Sequence, residues 1–179
     1  MRELVVTENT TIDGAVDGDF FSPADTAGQD EVLAELTRQS AASGALLVGR
    51  ATFEAFRSYW PGATGAIADH INTVPKFVVS TTLRDPGWAG TTVLSGPLEE
   101  EIRALKAAPG GDIVATGSIT LVRALIAAGL VDEYRLFVYP VVRGGGERLF
   151  AGAAGVPPLA LAEARPLSGG VALLRYRAR

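Results

Sequence analysis

Apolar positions along this chain fall into two patterns: short uninterrupted runs, as buried strands require, and longer stretches in which they recur every three or four residues, as on one face of a helix. Leu4 to Thr7 is the first strand expected, and a polar loop through Ile12, Asp13, Gly14 and Gly18 follows it. Ser22-Pro23-Ala24-Asp25 has the form of a helix start, with a capping Ser, Pro in the first turn and an acid near the positive end of the dipole. The main helix there is expected nearer Asp30, with Val32, Leu33 and Leu36 on its apolar edge and Ser43-Gly44 at its close.

Ala45 to Val48 reads as a strand ending in Gly49, and Thr52 to Tyr59 as a helix that turns Phe53 and Phe56 inward. Ile67 to Asn72 is a short helix, while Lys76 to Ser80 and Thr91 to Leu94 are strands. Leu98, Ile102 and Leu105 mark an amphipathic helix whose Glu99 and Arg103 can pair on the wet face. Asp112 to Thr116 is the next strand, and Ile119 to Ala128 a helix apolar nearly all round that stops at Gly129. Tyr134 to Val142 reads as the longest strand, interrupted by Pro140, with the loop Gly144-Gly145-Gly146 after it. Leu159 to Leu167 and Val171 to Arg177, joined by Ser168-Gly169-Gly170, form a hairpin. Strands alternating with helices and closed by an antiparallel hairpin describe an α/β fold of three layers, α/β/α, around a mixed, mostly parallel central sheet.

Composition narrows the chemistry. With 179 residues, 47% hydrophobic and 20% charged, one globular domain spanning 1–179 is expected. The chain has no cysteine and one histidine, His70. Thiolate nucleophiles, disulfides and cysteine-based zinc or iron–sulfur sites are thereby excluded, and no metal site is expected. A net charge of −4 and the lack of a basic stripe argue against nucleic acid as a partner. The first residues lack the apolar core of a signal peptide, and no 18-residue apolar window occurs, so a soluble, cytoplasmic protein without membrane contact is expected.

Two strand-to-helix junctions could hold an anion, because a helix N-terminus presents unpaired N–H groups and about half a positive charge. In Val114-Ala115-Thr116-Gly117-Ser118-Ile119 a strand runs through a glycine directly into an apolar helix; an ordinary tight turn capped by Ser118 accounts for the same residues. Val48-Gly49-Arg50-Ala51-Thr52 adds a guanidinium, which could read a 2′-phosphate or be a surface arginine beside a capping Thr52. Ser80-Thr81-Thr82 places three hydroxyls after a strand, as a nucleotide site or a plain polar loop would.

Taken in order, Thr11-Ile12-Asp13-Gly14, Gly49-Arg50-Ala51-Thr52-Phe53-Glu54, Trp60-Pro61, Pro75 to Ser80, Gly117-Ser118, Tyr139 to Val142 and Gly144 to Gly146 make the chain resemble the dihydrofolate reductase-like superfamily. Within it the match is to the reductase domain of riboflavin biosynthesis and its small stand-alone bacterial relatives. The resemblance implies a reductase like those of 5-amino-6-(5-phosphoribosylamino)uracil, a ribosylaminopyrimidine phosphate, which transfers hydride from NADPH to a small heterocyclic or sugar-bearing substrate, the cofactor carrying the chemistry. It implies cofactor contacts at Gly49, Arg50, Thr52, Ser80, Thr81, Gly117, Ser118 and Ile119, flanked by Thr116 and Leu121. It also implies a homodimer, for which Val171 to Tyr176 offers apolar surface.

Folate-reducing members carry a carboxylate on the first helix, and here that position falls near Leu33, between Glu31 and Glu35. A folate reductase with a displaced acid and a nucleotide-binding protein without catalysis are the alternatives. Asp13 is the candidate catalytic acid, in an Asp-Gly pair that is also a common turn. His70 is expected on a solvent-facing surface without a role, Trp60-Pro61 as a packing corner and Trp88 as a loop anchor. Arg143, Arg148 and Arg165 are candidates for a substrate phosphate or solvated surface arginines.

Overall fold

Both faces of the first strand, β1 (Leu4–Thr11), are covered by apolar side chains, and Leu4, Val5 and Val6 are fully buried. That places β1 inside the sheet. The computed structural model describes residues 1–18, 28–153 and 156–179; the Ser22-Pro23-Ala24-Asp25 helix start lies outside them. The remaining strands are β2 (Ser43–Gly49), β3 (Lys76–Val79), β4 (Thr91–Leu94), β5 (Asp112–Thr116), β6 (Glu133–Tyr139), β7 (Leu159–Pro166) and β8 (Ala172–Ala178). The helices are α1 (Asp30–Ala42), α2 (Arg50–Tyr59), α3 (Ala66–Thr73), α4 (Leu98–Ala107) and α5 (Ile119–Ala127).

One sheet holds the strands in the order β4-β3-β2-β5-β1-β6-β8-β7. The pairs from β4 through β6 are parallel, and β8 joins β6 and β7 antiparallel, so the sheet is mixed and mostly parallel as expected. Side chains alternate across it: Ala45 and Leu47 of β2 face α5, whereas Leu46 and Val48 face α2. On one face α4 and α5 bury Ile102, Leu105, Val122, Leu125 and Ile126 in a continuous core with Leu4, Val6, Ile113 and Ala115. The opposite face carries two separate cores. Val32 of α1 packs with Phe137, Leu167 and Leu173, and Phe53 of α2 packs with Leu46, Val48, Val78 and Trp88. Between these two cores the face is left open.

Three expectations change. The run from Tyr134 to Val142 is not the longest strand: β6 ends at Tyr139, because Pro140 has no N–H to donate to a ladder, and β1 and β7 are longer at 8 residues each. β1 continues past Thr7 because β6 pairs with it as far as Thr11↔Tyr139. The run Val171 to Tyr176, read as apolar surface, is less open than expected: it contributes to β8, which lies between β6 and β7, and Val171 and Leu173 are buried; the sheet's edge strands are β4 and β7. Trp88 does anchor its loop, donating from Nε1 to Asn72 Oδ1 at 3.3 Å. Buried Lys76 lies 4.7 Å from the Trp88 ring centre and donates to the carbonyls of Asn72, Val74 and Ala89.

Candidate active site

Parallel strands β1 and β5 stay paired from Leu4↔Ile113 to Thr7↔Thr116 and then separate, β1 continuing beside β6 alone. Above this parting, between the two separate cores, lies a cleft of about 860 Å³. Its floor is Thr7, Glu8, Asn9, Val114 and Thr116; α1 supplies Val32, Leu33, Leu36 and Gln39 on one wall, and Phe56, Trp60, Ile67, His70 and Ile71 form the other. Trp60 is thus more than a packing corner: it meets Phe56 edge-on at 6.0 Å and faces the cleft as well.

Thr116 and Gly117 close the cleft at the carboxyl edge of the sheet, where α2 and α5 begin side by side. Neither helix has a side-chain cap, and neither has an acid in its first turn, whereas α1 and α4 open with Asp30-Glu31 and Glu99-Glu100-Glu101. Their first N–H groups have no intrahelical acceptor, so two positive helix ends face the same spot. Gly117 and Ser118 are both left-handed, at φ 58 and 54. This twist brings Ser118 Oγ to the Gly49 amide, from which it accepts at 2.9 Å. A Cβ at Gly117 would stand 3.3 Å from Thr52 Cγ2, so the two junctions touch.

Arg50 is exposed beside them, 3.5 Å from Glu54. Ser80 and Thr81 follow β3, the neighbour of β2; Ser80 Oγ accepts from the Thr82 and Leu83 amides and is committed to its turn, while Thr81 is exposed. Ile119 is half-buried, and the Leu121 side chain belongs to the core, which leaves only its backbone to face a ligand. The candidate cofactor residues therefore share one edge of the sheet, and of them only Thr116 and Gly117 line the cleft itself.

The acidic groups separate by environment. Asp13 accepts from Thr11 Oγ1 at 2.6 Å and from the Arg143 and Gly144 amides, bonds that hold its carboxyl down at about 2. It does not line the cleft. Glu35 on α1 is buried, which works to raise it, but donors from Arg38, Gln39 and Arg165 prevail and keep it ionised down to about 2. At the position between Glu31 and Glu35, Leu33 meets the cleft with a methyl surface, so α1 presents no carboxylate there.

Glu8 is the acid that sequence reasoning missed. It is 6% exposed, and burial pushes its carboxyl well above the usual range against the pull of the Gly117 amide. Its Oε1 has no hydrogen-bond partner among the described residues, nor do the cleft-lining Thr7 Oγ1, Gln29 Oε1 and Gln39 Oε1. The available signal was a glutamate two positions beyond Val6 in an apolar strand.

His70 also differs from expectation, because α3 packs against α1 and turns the ring inward. It lines the cleft with Nε2 2.9 Å from Ser43 Oγ, and burial together with the charge of Lys76 lowers its pKa. No Lys or Arg is among the described residues of the lining. Arg143 and Arg148 hold the Asp17 and Asp13 carbonyls, Arg165 holds Glu35 and Glu163, and Gly144 to Gly146 are exposed away from the cleft. Among the described residues no three His, Cys, Asp or Glu side chains gather as a metal site, and no helix is long and apolar enough to cross a membrane.

The RibD C-terminal domain family matches residues 2–173 of this sequence. The chain belongs to that family. The uncharacterized protein YyaP of Bacillus subtilis (strain 168) is 27% identical over 185 residues, covering 98% of this chain and 94% of YyaP. A pyrimidine reductase-like protein from Corynebacterium diphtheriae superposes with a TM-score of 0.73 at 16% identity, over 99% of this chain and 92% of its own. A diaminohydroxyphosphoribosylaminopyrimidine deaminase/5-amino-6-(5-phosphoribosylamino)uracil reductase from Thermotoga maritima superposes with a TM-score of 0.68 at 14% identity. The match covers 99% of this chain and 57% of the Thermotoga protein. The RibD C-terminal domain fold thus has the dihydrofolate reductase-like architecture expected from the sequence, and its open face carries the cleft.

Proposed function

We propose that this RibD C-terminal domain protein is an NADPH-dependent reductase. The observation that carries the reading is the pair of uncapped helix N-termini of α2 and α5, joined through Ser118 and Gly49 at the mouth of the cleft. Two adjacent positive helix ends without acidic first turns suit a pyrophosphate. The close approach at Gly117, where a Cβ would crowd Thr52, suits a phosphate lying against bare backbone. Gly49, Thr52, Thr116, Ser118, Ile119 and the backbone of Leu121 complete this cradle. Arg50, exposed beside Glu54, takes the 2′-phosphate, with Thr81 and the turn held by Ser80 along the adenosine side. When bound, NADPH supplies the hydride.

The chain's own part is to position the substrate and exclude water. Glu35 draws the Gln39 Nε2 toward itself at 2.7 Å, which leaves Gln39 Oε1 as an acceptor on the cleft. Gln29 Oε1 adds a second acceptor and Thr7 a hydroxyl. A ligand meeting them brings N–H or O–H groups on a flat body that fits between Leu33, Phe56 and Trp60. The lack of Lys and Arg among the described residues of the lining favours an uncharged heterocycle over a phosphate ester. Asp13 braces the loop that carries Val16 and Gly18 to the cleft. A homodimer, which the family resemblance implies, and a cytoplasmic location, expected from the pattern of the sequence, belong to the same proposal, and light scattering tests the former.

Calorimetric titration with NADPH and NADH tests the reading. Binding of NADPH in preference to NADH is expected, and absence of binding by both overturns it. Turnover of the ribosylaminopyrimidine with and without its phosphate then tests the substrate class: faster reduction of the phosphate ester would overturn the uncharged-ligand assignment.

A further inference from the structure

The cleft runs most of the length of its strands. Thr116 and Gly117 stand at the carboxyl edge, whereas Ser43 lines the cleft where β2 begins, in register with Asp112 at the amino edge. Thr116 lies four residues along β5 from Asp112, so the floor is about 13 Å long at ~3.3 Å per residue. A single pyrimidine ring beside a nicotinamide at the carboxyl end does not reach the other end. Between the two ends the walls are apolar, with Leu36 on α1 and Ile67 and Ile71 on α3.

The amino end is polar again, and its hydrogen bonds fix which atoms are lone pairs. Ser43 Oγ donates its one proton to the Ser40 carbonyl at 2.8 Å, so toward His70 Nε2, 2.9 Å away, it can only accept. His70 therefore carries its proton on Nε2, which leaves Nδ1 as a lone pair on a ring that lines the cleft. Gln39, 5% exposed, donates from Nε2 to the Glu35 carboxylate, and its Oε1 has no partner among the described residues. A buried acceptor left without a donor is destabilising unless a ligand supplies one. The neighbouring charges do not supply it. Lys76 of β3 donates to the carbonyls of Asn72, Val74 and Ala89, Arg38 of α1 is paired with Glu35, and Asp69 of α3 is exposed. Burial and the Lys76 charge lower the His70 pKa, so the ring is neutral at pH 7.

We propose that the amino end of the cleft is a second substrate subsite, in which His70 Nδ1 and Gln39 Oε1 accept hydrogen bonds from the far end of the ligand. The substrate class that fits is an uncharged heterocycle carrying an apolar arm tipped by an amino, amide or hydroxyl group. This rests on the reading of the cleft as the substrate site, and not on NADPH. The heterocycle lies near the cofactor cradle, the arm runs between Leu36, Ile67 and Ile71, and the tip meets two fixed acceptors. A carboxylate or phosphate at the tip brings lone pairs against lone pairs and is rejected. Ser43 is the positioning residue: by donating to Ser40 it sets the His70 tautomer and so the sign of the subsite.

Three probes that differ only at the tip of the arm test this by calorimetry on the whole chain at pH 7: 6-(benzylamino)uracil and its para-amino and para-carboxy derivatives on the benzyl ring. The para-amino probe is expected to bind about tenfold more tightly than the parent, and the para-carboxy probe more weakly than the parent. In His70→Phe the para-amino advantage falls below about threefold, while the parent keeps its affinity within about threefold. Equal affinities for the three probes, or an advantage that stays at tenfold in His70→Phe, overturns the subsite. Failure of all three to bind overturns it as well and leaves the NADPH reading standing. Probe binding without NADPH binding removes the reductase reading and leaves the subsite. His70 is the chain's one histidine, so nitrogen NMR of the histidine-labelled, unmodified chain reads its ring without a variant. A proton on Nε2, with the Nδ1 resonance moving upfield on adding the para-amino probe and not the parent, supports the assignment. A proton on Nδ1 in the free chain, or an Nδ1 resonance that the para-amino probe leaves in place, overturns it.

Discussion

Ser118 Oγ accepts the Gly49 amide proton at 2.9 Å, a bond that ties the end of β5 to the end of β2 and sets two helix N-termini against each other. A serine in the left-handed region is unusual, since only glycine adopts that conformation without steric cost. Here it follows a left-handed Gly117, and together the two residues turn the chain sharply enough to aim the hydroxyl back across the sheet edge. Ser118→Ala removes the acceptor of a half-buried amide, and a loss of about 1 kcal/mol is expected in urea unfolding.

Gly117 is the more demanding position. An alanine there pays the left-handed penalty of about 1–2 kcal/mol and sets its Cβ 3.3 Å from Thr52. Gly117→Ala should unfold at lower urea by that amount and should bind NADPH more weakly, which calorimetry on the same preparation measures.

Arg50 should behave in the opposite way. Its side chain is 55% exposed and its contact with Glu54 is a surface pair, so Arg50→Ala should change stability by no more than about 0.5 kcal/mol. NADPH affinity should fall about tenfold while NADH affinity holds, because a guanidinium that reads a 2′-phosphate has nothing to read on NADH. Equal losses for the two cofactors would remove Arg50 from that role.

Glu35 and Glu8 should give stability profiles of opposite sign. The Glu35 carboxyl, held at about 2 against an ordinary 4.5, contributes stability that is complete above pH 4.5 and lost as pH falls toward 2. Glu35→Gln should cost about 3 kcal/mol at pH 7 and progressively less as the pH is lowered through that window. Urea midpoints from pH 2.5 to 7 trace the difference.

The Glu8 carboxyl is shifted upward, so the folded chain holds a proton that the unfolded chain has already lost above pH 4.5. Relative to Glu8→Gln, the unmodified protein should therefore lose about 1.4 kcal/mol of stability for each pH unit above 4.5, until Glu8 ionises in the fold. A gap that stays flat with pH would mean that the carboxyl is ionised in the folded chain throughout.

Alternating apolar runs and helical spacing were enough to place most elements, because each buries a face whose period is written in its own residues. The sheet edge was legible for a related reason: glycines and hydroxyls at strand-to-helix junctions mark turns wherever they occur. The floor of the cleft was not legible. Nothing local says that β1 parts from β5 after Thr7, and without that parting Glu8 reads as one polar residue in a strand. Asp13 drew attention through its loop, yet its bonds to Arg143 and Gly144 are made across the chain and cannot be inferred from an Asp-Gly pair. His70 looked exposed because α3 is polar by itself; its packing against α1 turned the ring inward.

The loop that covers one end of the cleft is fastened to a distant part of the chain. Ala15 bridges Arg148, the Val16 amide donates to the Glu147 carbonyl, and the Asp17 carboxylate accepts the Glu147 amide and lies 3.6 Å from Arg143. Val16 and Gly18 are thus half of a clasp whose other half is the segment 143–148, which does not itself line the cleft. Widening the cleft at this end means unfastening a surface held partly by exposed charges, so the rate of ligand entry should rise with ionic strength even where the ligand carries no charge.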